Sequence, residues 1–180
     1  MRLLTLLRHG KSDWSAPHRT DYQRPLKERG REHASRMGEY MASLGLIPDL
    51  IASSPAVRAR QTAELFAEAV EYEGEITWDE GIYAASAGEL LRVMRDLPED
   101  SEHVVLVGHN PGFEDLADFL IEQEPGVPLP WDGVRLPTAA TAHLLLNVSD
   151  WSDVRAGCGK LLWLMTPKAL GQSEEWASNQ

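Results

Sequence analysis

Only one cysteine, Cys158, occurs in the 180 residues of this sequence. An internal disulfide and a cysteine-rich zinc site are therefore excluded, which suits a reducing compartment. Basic residues are scarce as well: 17 lysines and arginines stand against 28 aspartates and glutamates, a formal net charge of −11. Nonspecific binding to DNA, RNA or anionic lipid needs a positive surface, so neither a nucleic acid nor a membrane partner is expected. The same field repels small phosphorylated molecules at long range and mildly favours a substrate carried on a protein. Long apolar runs are missing too. The stretch behind Met1 and Arg2 reaches Arg8 after five residues, shorter than a signal-peptide core. No targeting or membrane-spanning segment is visible, and a cytoplasmic location is expected. No internal repeat, second domain or His-Glu-His metal cluster stands out, so no cofactor or metal is called for.

What remains is the make-up of a globular protein. With 43% apolar and 25% charged residues, the disordered and membrane classes drop out. A chain of this length can close one core without staples. We read a single domain over residues 1–170 and a frayed tail over 171–180. Ala34, Met37, Met41 and Leu44 recur at helical spacing and stop at Gly45, with Pro48 beyond. Ser54 reads as an N-cap and Pro55 as the first residue of a second helix, with Ala59, Ala63, Phe66 and Val70 as its inward stripe. Ser86 and Glu89 fit a capping box for a third helix carrying Leu90, Leu91, Met94 and Leu97. His103 to Val107 reads as a buried strand, and Phe113, Leu116, Ala117 and Leu120 mark the helix after it. Strand and helix thus alternate through Ile121, which predicts right-handed crossovers and an α/β fold. The architecture expected is a three-layer α/β/α sandwich around a mostly parallel sheet. Pro125 to Pro137 reads as a long surface loop. Thr141 to Val148 and Lys160 to Met165 then form an antiparallel C-terminal hairpin that extends the sheet.

Two histidines stand directly behind apolar runs. Arg8-His9-Gly10 follows Leu3 to Leu7, and Gly108-His109-Asn110-Pro111-Gly112 follows Val104 to Val107. Ligands of open α/β sheets bind outside the carboxyl ends of the parallel strands, so side chains just past those ends meet. Behind Leu50-Ile51-Ala52 comes Ser53-Ser54-Pro55, with Arg58 and Arg60 shortly after. Two histidines and two arginines at one sheet edge point to phosphate chemistry.

These blocks, together with Lys11-Ser12-Asp13-Trp14, Arg24-Pro25-Leu26, Glu28-Arg29-Gly30 and Gln61-Thr62, resemble the histidine phosphatase (phosphoglycerate mutase-like) superfamily. Within it they are most similar to the SixA-type phosphohistidine phosphatase branch. The resemblance implies a phosphoglycerate mutase-like fold and a metal-independent phosphatase. It selects Arg58 over Arg60, which reads as a solvated charge. Mutase-like relatives carry asparagine where Ser15 stands here. They also use a carboxylic acid after the third strand, a region this sequence fills with Asp79-Glu80-Gly81-Ile82-Tyr83.

Chemistry assigns the roles. A neutral imidazole attacks phosphorus with one nitrogen while a backbone carbonyl fixes the proton on the other, and His9 is the candidate nucleophile. Arg8 and Arg58 offer planar forks to the phosphoryl oxygens. His109, protonated beside a dianion, would be a third cationic donor. Asn110 and Ser15 are candidates for weaker phosphate bonds, and Glu80 for the acid that serves the leaving group. A phosphohistidine leaves as imidazole, of pKa ~6.5, and needs little help of that kind. The leading expectation is hydrolysis of phosphohistidine on proteins through a phosphorylated His9. A phosphatase or phosphotransferase for a small phosphate ester, with Glu80 as acid, and a silent phosphate-binding module are the alternatives. Nothing in the sequence speaks to oligomeric state. His18, His33, His103 and His143 read as structural or exposed, and Trp14 and Trp131 as residues able to line the pocket mouth.

Overall fold

The computed structural model describes residues 1–17, 20–122 and 133–171. His18, Trp131, most of the Pro125 to Pro137 loop and nearly all of the 171–180 tail lie outside the described residues. Six strands form one sheet: β1 (Arg2–Arg8), β2 (Leu50–Ser53), β3 (Thr77–Trp78), β4 (His103–Gly108), β5 (Thr141–Leu146) and β6 (Gly159–Met165). Their order is β3-β2-β4-β1-β5-β6. The first four in that order run parallel, and β5 lies antiparallel to both β1 and β6. The hairpin therefore joins the parallel part through β5, which completes the expected α/β arrangement.

The central strands β1 and β4 are near-continuous apolar runs because both faces of the sheet are covered there. Leu4, Leu6, Val104 and Leu106 point to one face, where α3 (Ala87–Arg95) and α4 (Gly112–Leu120) pack Leu90, Met94, Phe113, Leu116 and Leu120 against them. Leu7, Val105 and Val107 point to the other, against Met37 and Met41 of α1 (Glu28–Ser43) and Ala59, Ala63 and Phe66 of α2 (Val57–Ala69). Each fully buried side chain of this size contributes about 1.5–3 kcal/mol. Three layers result. The capping box of α3 forms as expected, Ser86 accepting from the Glu89 amide while Glu89 reaches back to Ser86.

Two boundaries differ from the sequence expectation. Helix α2 starts at Val57 with Ala56 as N-cap, because the Ser54 hydroxyl meets His109 Nε2 at 2.8 Å and stays on the strand side of the turn. Leu44 is not part of the inward stripe of α1. It sits at the C-cap, 47% exposed, where the chain turns into Gly45 at φ 69°, the left-handed conformation glycine adopts at little cost.

Candidate active site

Strands β1, β4 and β2 end level with one another, Arg8 paired to Gly108 and Ser53 to Val107. One residue further on, the backbone still holds: His9 N donates to Gly108 O at 3.0 Å and Ser54 N to Val107 O at 3.0 Å. His9, His109 and Ser54 consequently stand side by side at the carboxyl edge. The two imidazoles are 5.2 Å apart between centroids, and both are buried.

The turn after β1 is fixed by close backbone approach. A Cβ on Gly10 would lie 2.5 Å from the Gly30 carbonyl oxygen, and one on Gly30 would run into the backbone of Lys11. Glycine at both positions lets the start of α1 press against this turn. Gly10 N donates to Thr62 Oγ1 at 3.0 Å, and Thr62 donates in turn to Arg58 O at 2.7 Å. Gln61 accepts from Leu26 N at 2.8 Å. The Gln61-Thr62 pair thus ties two loops to the first turns of α2, which aims Arg58 at His9.

His9 Nδ1 lies 2.7 Å from Gly10 O. A carbonyl only accepts, so Nδ1 carries the proton and Nε2 presents its lone pair. Arg58 Nε donates to that Nε2 at 3.3 Å. Burial, first of all, pushes the His9 pKa down to about 3; the Gly10 bond opposes this, and His109, Arg58 and Arg8 reinforce it. His9 is a neutral imidazole at neutral pH. His109 is likewise pushed down to about 4, mainly by burial and then by Arg58, with Asp21 pulling the other way. The protein's own groups therefore hold His109 neutral while no anion lies beside it. Only an anion placed beside it reverses that balance.

Arg8 donates through Nη1 to Leu136 O at 2.8 Å, and Asn110 Nδ2 reaches the same oxygen at 3.0 Å. Arg8 Nε, His109 Nδ1 and Asn110 Oδ1 are buried without a hydrogen-bond partner. Burial lowers the Arg8 pKa, partly offset by Glu114, but a guanidinium keeps its charge. Leu136 N is fixed to Glu114 Oε1 at 2.7 Å and Val134 N to Asp118 Oδ1 at 2.7 Å. The described end of the long loop is thus pinned to α4 beside the pocket.

Of the residues singled out in the sequence, Arg8, His9, Arg58, His109 and Asn110 come together. Arg60 points away, paired with Glu64 at 3.0 Å and lying over the Trp78 ring. Ser15 does not join them: it is exposed, and its amide and hydroxyl both donate to Asp13 Oδ1. Glu80 is exposed too, accepting from the Tyr22 hydroxyl at 2.9 Å. Tyr22 stacks edge-on to Tyr83, and Tyr83 edge-on to His109, so two rings separate Glu80 from the histidines. Sequence reasoning assigned no site role to Asp21 or Tyr83, and marked Ser54 only as a cap and Arg24 only as part of the family resemblance. Asp21 bonds both Arg58 and Arg24, and its three-residue spacing from Arg24 was the one available signal. Burial raises the Asp21 pKa, but the bonds and charges of Arg24 and Arg58 outweigh it and leave the carboxyl below its ordinary value. Among the described residues no group of three or more His, Cys, Asp or Glu is arranged to hold a metal ion, and no helix is long and apolar enough to cross a membrane.

A family model described as histidine phosphatase superfamily (branch 1) matches residues 4–104. An uncharacterized chloroplastic protein of Arabidopsis thaliana is 30% identical over 171 residues, which span 90% of this chain and 74% of that one. A solved structure from Agrobacterium tumefaciens, provisionally named the phosphohistidine phosphatase SixA, is 27% identical with a TM-score of 0.74, covering 92% of this chain and 98% of that one. The protein histidine phosphatase SixA, solved with tungstate, has a TM-score of 0.77 at 23% identity and shares the fold over 93% of this chain and 99% of its own.

Proposed function

The chain belongs to the histidine phosphatase superfamily (branch 1), and from that membership we propose that it is a metal-independent phosphatase that hydrolyses phosphohistidine on proteins through a phosphorylated His9. The observation that carries this reading is the Gly10 O–His9–Arg58 alignment, which leaves a neutral Nε2 lone pair facing a guanidinium edge.

In the first step His9 Nε2 attacks phosphorus. The bond from phosphorus to the carrier nitrogen breaks, and its electron pair leaves with the carrier imidazole. The Nδ1 proton stays on His9, held by Gly10 O, so the phosphorylated ring is cationic and is itself a good leaving group. In the second step a water oxygen attacks phosphorus from the opposite side. The Nε2–P bond breaks, its pair returns to Nε2, and the water protons pass to phosphate and solvent. Arg8, Arg58 and His109 hold the phosphoryl oxygens in both steps, because that group keeps its place while its partners change. A dianion beside His109 raises the pKa of that ring toward its cationic form. Asn110 Nδ2 spends one N–H on Leu136 O and has a second to offer the phosphoryl group.

Phosphohistidine suits a pocket in which the acid that the sequence offered, Glu80, is tied up on the far side of Tyr22. An imidazole leaves without the proton that an alkoxide demands. The test is phosphate release, with EDTA present, from a phosphohistidine protein and from p-nitrophenyl phosphate. Release that favours the protein and vanishes in His9→Ala supports the proposal. Release from the ester alone moves the assignment to small phosphate esters, and release from neither is the result expected of a binding module.

A further inference from the structure

The guanidinium of Arg58 is shared between the pocket and one aspartate. Its Nε donates to His9 Nε2 at 3.3 Å, its Nη2 to Asp21 Oδ2 at 2.8 Å, and its Nη1 to the Asp21 carbonyl at 2.7 Å. The other carboxylate oxygen, Oδ1, accepts from Arg24 Nη2 at 2.8 Å and Nε at 3.2 Å. Arg24 is firmly seated: it is 6% exposed, bonds the Ser12 hydroxyl, and has the Trp14 ring 3.7 Å from its central carbon. The Tyr83 hydroxyl donates to Asp21 Oδ2 at 3.3 Å. A carboxylate thus bridges two buried arginines within one guanidinium of the proposed nucleophile.

Nε and Nη2 form the straight edge of a guanidinium, the edge that takes two oxygens of a phosphoryl group side by side. One end of that edge meets the atom of His9 to be phosphorylated, and the other meets Asp21. A phosphoryl group on Nε2 must put its oxygens on the same two donors. Nη2 has two N–H groups to offer, but two anions held on one nitrogen lie within a few ångströms of each other and repel strongly. Resting on the functional reading above, we propose that Asp21 is the pocket's internal anion: its carboxylate holds the Arg58 edge against His9, yields Nη2 to the arriving phosphoryl group, and retakes it when phosphate leaves. Arg24 keeps hold of Oδ1 throughout, so the exchange needs a rotation of one carboxylate and no loop movement. Asp21 is in this account a positioning residue that weakens oxyanion binding and speeds product release.

Such a role has a sign that a merely structural role does not share. If Asp21 only propped Arg58 in place, removing it would loosen the clamp and weaken oxyanion binding. As a competing anion, its neutralisation strengthens that binding. The experiment is calorimetric titration of tungstate into the wild type, Asp21→Asn and Asp21→Ala, with inorganic phosphate inhibition constants measured alongside. Both variants should bind tungstate more tightly, by roughly tenfold once the half-exposed setting of the carboxylate is allowed for. Unchanged or weaker binding in a variant that melts like the wild type would overturn the proposal. A crystal structure of the wild type with tungstate is independent of how the variants fold. It should show tungstate on the Arg58 edge, Asp21 Oδ2 beyond hydrogen-bonding distance of Nη2, and the Arg24 bonds kept. An Asp21–Nη2 bond that persists beside bound tungstate would also overturn it. A wild type that binds no tungstate and forms no phosphoenzyme would instead bring down the functional reading on which the exchange rests.

Discussion

Arg58→Lys keeps the charge and discards the fork. Arg58 is 5% exposed and places three donors at fixed positions: one on His9 Nε2 and two on Asp21. A lysine ammonium at the end of a flexible stem reaches one of these acceptors at a time. The transition state for phosphoryl transfer to Nε2 then loses one of the two parallel bonds that the Nε–Nη2 edge supplies. A hydrogen bond to a charged group is worth about 1.5–3 kcal/mol, and the remaining bond loses some of its alignment. A barrier raised by about 3–4 kcal/mol corresponds to a loss in kcat/KM of roughly 10²–10³-fold. The assay is steady-state phosphate release from a phosphohistidine protein, with thermal melts to show that the variant is folded. Because the charge is retained, substrate should still be attracted, and most of the loss should fall in kcat. A folded Arg58→Lys enzyme within about fivefold of wild type would show that charge alone suffices and that the edge geometry has been over-read.

Other consequences follow from single contacts. Gly30→Ala forces a Cβ into the Lys11 backbone; overpacking of this kind costs about 1–3 kcal/mol and should lower the melting temperature by about 2–10 °C, whereas an unchanged melt would mean that the start of α1 and the turn after β1 separate freely. Glu80→Gln should alter turnover of a phosphohistidine protein by less than about threefold, since no leaving alkoxide has to be protonated; a large loss on that substrate would return Glu80 to the chemistry. His103 and His143 flank the Thr5 hydroxyl at 3.0 and 2.8 Å, and burial lowers the pKa of both, that of His143 to about 4. In the unfolded chain they take up protons near ~6.5, so the unfolded state binds more protons as pH falls from there toward 4. Stability is then full above pH ~6.5 and declines through that window, by about 3 kcal/mol for His143 alone. Urea denaturation at pH 7, 5.5 and 4.5 reads the slope, which should flatten in His143→Gln; a slope unchanged by that substitution would assign the acid sensitivity elsewhere.

The fold was legible because its signals are local and repeated. Continuous apolar runs at β1 and β4, the Ser86/Glu89 box and the Phe113 to Leu120 stripe each follow from short-range pattern. The meeting of His9 with His109 could also be read, since residues just past neighbouring parallel strands share an edge. What the sequence hid were contacts made by side chains that choose among partners. Ser54 looked like the N-cap, but Ala56 takes that place and the Ser54 hydroxyl is shared between the Ala56 amide and a histidine. Ser15 stood in a phosphate-binding position by resemblance, yet turns back on Asp13 two residues away. Asp21 sits in a short 3-10 turn with no periodicity to mark it, and its two arginine partners come from different elements. The resting charge of His109 was not legible either. Its proton affinity depends on how deeply it is buried and on Arg58 beside it, neither of which is a local property.

The most direct test of the account is rapid-quench trapping of the phosphoenzyme, using a phosphohistidine protein labelled on phosphorus and mapping the label by mass spectrometry. The account predicts acid-labile, base-stable phosphate on His9 within the first turnover, lost in His9→Ala. Turnover with label on another residue, or with no phosphoenzyme at any quench time, would contradict it.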